Sequence, residues 1–175
     1  NRATDAFFIA WRIPNLLRRL VAEGGLTISF IPIYTEYLVK RSEDEALELA
    51  QKTMTILILV CGILVFLGMV FSPQVVGLFA WGFNDSESLA LAVRLNRILF
   101  PYLFFVALVA FAMGILNSHG HFFSPSFSPV MLNIWMIAGI LVSTRWFAEP
   151  LYGVAAGVLV GGFFQLAMQV PYMIR

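Results

Sequence analysis

Thr4-Asp-Ala-Phe-Phe-Ile-Ala-Trp-Arg-Ile-Pro-Asn-Leu-Leu-Arg-Arg-Leu-Val-Ala-Glu-Gly-Gly25 decides how this chain is read. It sets Asp5, Arg12, Arg18, Arg19 and Glu23 inside an otherwise membrane-grade apolar sequence. An arginine near the centre of a lipid-facing helix costs roughly 2.5 to 3.5 kcal/mol on insertion scales, so such residues usually face a bundle interior or a watery cavity. The stretch is expected to line a polar path, with the rest of the chain as the wall around it.

Helical geometry orders these charges. At about 100° per residue, Asp5, Arg12 and Arg19 fall within about 40° of one another, whereas Arg18 lies about 140° from Asp5. A straight helix cannot aim both Asp5 and Arg18 at one cavity. Pro14 removes a backbone donor and permits a kink, and Gly24-Gly25 offers a second, stronger break. A continuous helix over residues 2–40 would be about 58 Å long, nearly twice the hydrocarbon layer of a bilayer. The element is therefore expected to bend, break or protrude, with Pro32 as a further point of distortion.

Composition sets the class. Of 175 residues, 60% are apolar and 12% charged, where a soluble domain carries about 25% charged residues; the mean hydropathy is +0.86. The expected fold is all-α, a polytopic membrane bundle of about five transmembrane helices, each needing about 20 apolar residues. The first helix is long and broken, and residues 1–175 form a single transmembrane region. The net charge of +1 comes without a basic run, which argues against nucleic acid as a partner. Cys61 is the sole cysteine, so a disulfide within the chain is impossible and a packing role inside a helix is expected. The first residues lack the basic head and apolar core of a signal peptide, and the chain, which does not begin with Met, reads as a piece of something longer.

Along the chain, the first element is expected over residues 2–37. The polar turn 40–45 leads into an amphipathic helix start, where Ser42 followed by Asp44 and Glu45 suits a cap. A second crossing is expected at 45–71, ended by Ser72-Pro73. The segment 74–83, with Trp81, is too short to cross and suits an interfacial helix; 84–86 is an exposed turn. A third crossing at 88–117 carries Arg94 and Arg97, read as snorkelling to the interface, and Pro101. Residues 118–129 read as a Gly, Ser and Pro loop. Its His119 and His121 have no evident third ligand nearby, so no metal is expected.

A short fourth crossing is expected at 129–144, with Asn133 free to bond between helices. The fifth, at 151–174, bears Gly153, Gly157, Gly161 and Gly162, a ladder of small residues for close helix packing. Gln165 and Gln169 extend nearly the same face. Lys40, Arg41 and Lys52 favour a cytoplasmic 40–45 turn, and Arg145 argues mildly against it. On that orientation Arg18 lies about 20 Å below Asp5.

Several motifs taken together carry a resemblance. Thr4-Asp-Ala-Phe-Phe, Pro14-Asn-Leu-Leu-Arg-Arg, Ala22-Glu-Gly, Phe100-Pro-Tyr, Gly114-Ile-Leu-Asn and Leu132-Asn-Ile closely resemble the MurJ (MviN) lipid II flippase family of the multidrug, oligosaccharidyl-lipid and polysaccharide exporter superfamily. The resemblance implies two helical lobes around a cationic cavity, with this chain covering the second to sixth helices, part of the amino-terminal lobe. It implies a multi-pass protein of the bacterial inner membrane that flips lipid II by alternating access, with no cofactor and no enzymatic step.

Carried over by position, Arg18 matches a cavity arginine that recognises the lipid II pyrophosphate, and Asp5 an acidic position near the outer side. Arg12, Arg19 and Glu23 are candidate substrate-site neighbours, Glu23 also as an ion-pair partner of Arg18. Arginine suits the task because its planar fork donates two hydrogen bonds to phosphate oxygens and stays charged. Gly24, Gly25 and Pro32 are candidate hinges. The implied partners are lipid II, membrane lipid and the remaining helices of the same transporter. The alternatives are a flippase for another polyprenyl-linked sugar, an antiporter of the same superfamily, a non-transporting membrane scaffold, and an intramembrane enzyme on lipid phosphates, against which the lack of a nucleophile and base pair counts.

Overall fold

Proline and glycine set the winding of the first element. Helix α1 (Arg2–Arg18) carries Pro14 in its interior, a π-helical segment spans Arg19–Phe30, and α2 (Ile31–Lys40) resumes α-winding with Pro32 in its first turn. The computed structural model that shows this describes residues 2–79, 86–146 and 150–173. The break expected at Gly24-Gly25 is thus a change of winding rather than an interruption, and the element runs on to Lys40. Pro32 sits where α-winding resumes, and its missing N–H withholds one donor from the preceding turn.

The polar turn behaves as its sequence predicts. The Ser42 hydroxyl accepts from the Glu45 backbone N–H at 3.2 Å and caps α3 (Glu43–Val70). Around it Lys40 pairs with Glu36, Arg41 with Glu45 and Lys52 with Glu48, each four residues apart on an exposed helix surface. Such exposed pairs are screened by solvent and contribute little to stability. Only 17% of the apolar window of α3 is buried, so Ile56, Leu59, Ile63 and Phe66 remain exposed on an outward face. Cys61 is buried and free.

After α3, the short α4 (Ser72–Phe79) occupies the first part of the expected interfacial helix; Trp81, Asn84 and Asp85 lie outside the described residues. Ser72 ties α4 to its neighbour, donating to the Val93 carbonyl at 3.1 Å and accepting from Asn96 Nδ2 at 2.8 Å. The third crossing is one path with a bend: α5 (Ser86–Leu99) and α6 (Tyr102–Ser118) meet at Phe100-Pro101. Phe104 there bonds back to the Pro101 carbonyl at 3.1 Å, a tighter turn at a proline that cannot continue the ladder. Together α5 and α6 are 61% buried over their apolar window, which makes them the central pillar.

The expected loop at 118–129 is much shorter. Helix α7 (Phe123–Trp146) begins inside it and contains Pro129, so the fourth crossing is longer than the sequence suggested. Serine and proline misled here. Pro125 falls in the first turn, where its missing donor costs nothing, and Ser124 and Ser128 are fully buried against a neighbour rather than solvated. Asn133, expected to bond between helices, is exposed.

Helix α8 (Leu151–Met173) packs antiparallel on α7 through the glycine ladder. A Cβ on Gly157 would lie 2.5 Å from the Trp135 carbonyl oxygen, and one on Gly161 3.0 Å from Leu132. Gly157 therefore demands glycine for backbone approach, whereas at Gly161 Leu132 would have to give by a few tenths of an ångström. Helix α8 also packs on α6, and α1 packs on α5. Among the described residues, four stretches are long and apolar enough to cross a membrane: α3, α5 with α6, α7 and α8. The charged first element lies against them.

Candidate functional site

Alternation of small and large side chains decides which face of α1 is buried. Ala6, Ala10 and Ile13 close against α4, α5 and α6, and Pro14 is buried with them. The opposite side, including Asp5, Phe8, Arg12 and Leu16, is exposed, and Arg19 and Leu20 continue it. The seven-residue stripe Asp5, Arg12, Arg19 read from the sequence is thus all on accessible surface. Among the described residues these three have no ion-pair partner.

Arg18 is set apart from that stripe. It is half-buried, and its Nε donates to Asn15 Oδ1 at 3.0 Å, one turn earlier on α1. Its charge reaches Tyr102 on α6. The Trp11 ring stacks on Tyr102 at 5.6 Å, and Phe7 stacks on Trp11 at 6.4 Å. An aromatic row therefore runs from Phe7 and Trp11 on α1 to Tyr102 on α6. The Glu23 side chain, the expected ionic partner, lies outside the described residues. Asn15 and Tyr102 are site residues that the sequence reading did not single out. Asn15 was visible in the i, i+3 spacing to Arg18, whereas Tyr102 comes from a distant helix and only the fold brings it in.

Arg19 faces elsewhere. It borders an apolar recess of about 610 Å³ walled by Leu17, Leu64, Leu67, Phe71 and Phe100. Adjacent arginines on the chain thus serve two surroundings, one polar and aromatic, the other wholly apolar. Gly24 and Gly25 lie within the π-helical segment, where a Cβ on Gly25 would find ordinary contact at 3.8 Å. Crowding does not require glycine at position 25.

A second cavity, about 640 Å³, opens at the end of the bundle where α2 meets α3. Tyr34, Glu43, Asp44, His119, His121 and Tyr172 line it. His119 Nδ1 lies 2.9 Å from the Ile115 carbonyl, and His121 stacks on Tyr172 at 4.5 Å. The two histidines point to different partners and do not converge with the carboxylates on a common centre.

What this arrangement offers chemically is anion binding. Guanidinium groups on an accessible face of an otherwise apolar bundle bind phosphate oxygens bidentately without needing deprotonation. An asparagine that fixes one of them lowers the entropy lost on binding.

Comparison with known proteins agrees with that chemistry. Residues 1–175 match the family model described as "Lipid II flippase MurJ". The chain is 41% identical over 173 residues to the probable lipid II flippase MurJ of Buchnera aphidicola subsp. Schizaphis graminum, covering 98% of this chain and 34% of that protein. It is 38% identical over 172 residues to the lipid II flippase MurJ of Burkholderia cenocepacia, covering 98% and 33%. A solved structure, "Lipid II flippase MurJ, inward closed conformation", superposes with a TM-score of 0.75 at 30% identity over 96% of this chain and 36% of the other. The chain thus spans about a third of the length of the curated relatives it matches.

Proposed function

The chain belongs to the lipid II flippase MurJ family, and from that premise we propose that it forms part of the amino-terminal lobe of a transporter moving lipid II across the bacterial inner membrane. Its contribution is the cationic wall of the substrate path. The observation that carries this reading is the exposed Arg12 and Arg19 on the first element, with the half-buried Arg18 steadied by Asn15 at 3.0 Å.

Arg18 binds the pyrophosphate, with Tyr102 and Trp11 as the aromatic floor beside it. Arg12 and Arg19 extend the positive potential along the same element, which draws an anionic headgroup inward. Asp5 marks the far end of the path and Glu23 its inner neighbour. The polyprenyl tail stays in lipid, since its transfer into a polar path would forfeit about 0.8 kcal/mol per methylene.

Alternating access needs a wall element that changes shape. The π-helical Arg19–Phe30 segment, which contains Gly24 and Gly25 and is followed by Pro32, is that element, because π-winding is rare and concentrates at functional positions. On the orientation that places the 40–45 turn in the cytoplasm, the segment lies below Arg18 on the inward side.

The test is lipid II binding to the full-length parent in nanodiscs. Arg18→Ala is expected to lose binding with folding intact, Arg18→Lys to retain part of it, and an uncharged lipid to bind none of the three. Equal binding by wild type and both variants overturns the role given to Arg18.

A further inference from the structure

The register of α7 against α8 is fixed at several heights. Gly157 and Gly161 lie against Trp135 and Leu132. Further along, Gln165 Nε2 donates to the Ser128 carbonyl at 3.0 Å, and beyond it Tyr172 stacks on His121 at 4.5 Å. Between those last two contacts, antiparallel register puts Gln169 opposite Ser124. The seam therefore changes character along its length, from glycines in backbone contact to two serines facing two glutamines.

These four residues are closed off from the surface: Ser124, Ser128 and Gln169 are 0% exposed and Gln165 is 5% exposed. Yet Ser124 Oγ, Ser128 Oγ, Gln165 Oε1 and both amide atoms of Gln169 have no hydrogen-bond partner among the described residues. No other helix or lipid can reach them, because the atoms are buried. Polar groups in that position are almost always satisfied, either by a small species among them or by direct pairing of the side chains.

The atom types choose between candidates. A bare cation would be held by the hydroxyl and carbonyl oxygens but would leave the Gln169 Nε2 donors unanswered. Water both donates and accepts, and it is the usual bridge between buried groups of mixed kind. The seam also has a source. His121 Nε2, itself buried without a partner, stands where the seam meets the 640 Å³ cavity lined by Glu43, Asp44 and Tyr172.

We propose that Ser124, Ser128, Gln165 and Gln169 form a binding site for ordered water, fed past His121 from that cavity. It reaches roughly 10 Å into the bundle, the rise of the helical turns from Tyr172 to Gln165. The site makes one end of the α7–α8 joint wet, whereas the glycine end is dry.

Water-edited solid-state NMR on the full-length parent in bilayers tests this. The side-chain amide of Gln51, exposed at the cavity, and the backbone amide of Ala107, buried within α6, serve as wet and dry references. The Gln169 amide is expected to take up water polarisation at nearly the Gln51 rate, and Ser124→Ala to slow it at least twofold. Uptake as slow as that of Ala107 means the side chains pair directly and overturns the proposal. Fast uptake unaffected by Ser124→Ala also overturns it, since Ser124 then holds no water. As a second measurement, Gln169→Met is expected to lower the melting temperature; a rise would show a dry seam relieved of an unpaired amide and would count against the site.

Discussion

The indole of Trp11 stacks on the phenol ring of Tyr102 with centroids 5.6 Å and planes 26° apart. This contact joins the Arg18 face of α1 to the central pillar. Tyr102 is 3% exposed, so Tyr102→Ala is expected to cost about 3 to 5 kcal/mol, as truncation of a buried aromatic does. Tyr102→Phe, which keeps the stack, should cost about 1.5 kcal/mol or less. Thermal unfolding of the full-length parent separates the two, and equal losses would show that the hydroxyl rather than the ring holds the joint.

Asn15 orients Arg18 without having to touch the cargo. Asn15→Leu removes one hydrogen bond of about 1 kcal/mol, so lipid II affinity is expected to fall about fivefold with little change in melting temperature. Arg18→Ala should fall further. Titration of lipid II against both variants in nanodiscs checks the order, and an unchanged affinity in Asn15→Leu would remove the positioning role.

Glycines in this chain differ in what they do. Gly157→Ala forces a methyl against the Trp135 carbonyl and is expected to destabilise by about 1 to 3 kcal/mol. At Gly62 a Cβ meets nothing within 4 Å, so Gly62→Ala should stabilise by up to about 1 kcal/mol through helix propensity. Opposite shifts in melting temperature are the expected result; a rise in Gly157→Ala would mean that α7 and α8 separate freely.

A buried polar pair invites a double-mutant cycle. Ser72→Ala leaves the fully buried Asn96 amide without the acceptor it has at 2.8 Å, at a cost of about 1 to 3 kcal/mol. Adding Asn96→Leu should recover part of the loss, since the stranded donor goes with it. Additive losses in the two single variants would deny the coupling.

Much of the architecture was legible because helical membrane proteins write it in long uncharged runs. The runs beginning at Thr53 and Leu151 became α3 and α8 nearly as read. The start of α7 was misread, because serine and proline are turn formers in water but pack well between membrane helices. Ser124 and Ser128 thus signalled a loop where burial made a helix. In the candidate site, the stripe Asp5, Arg12, Arg19 followed from spacing alone, and the different setting of Arg18 was foreseen in its angle from Asp5. Tyr102 was beyond reach, as its place beside Arg18 depends on the bend at Pro101 and on how α6 meets α1.

Winding is a form of stored length. Each hydrogen-bonded turn of Arg19–Phe30 encloses one residue more than an α-turn does, so the same residues reach a shorter distance along the axis. If turns of this segment revert to α-winding, α2 is pushed outward and twisted about its axis in a single motion, like a screw leaving its thread. The acidic and basic corner at Lys40 and Arg41 would travel with it, while Arg18 stays anchored by Asn15. Translation and rotation of the inner end of this element are then one coordinate rather than two, and whatever fixes the winding fixes both.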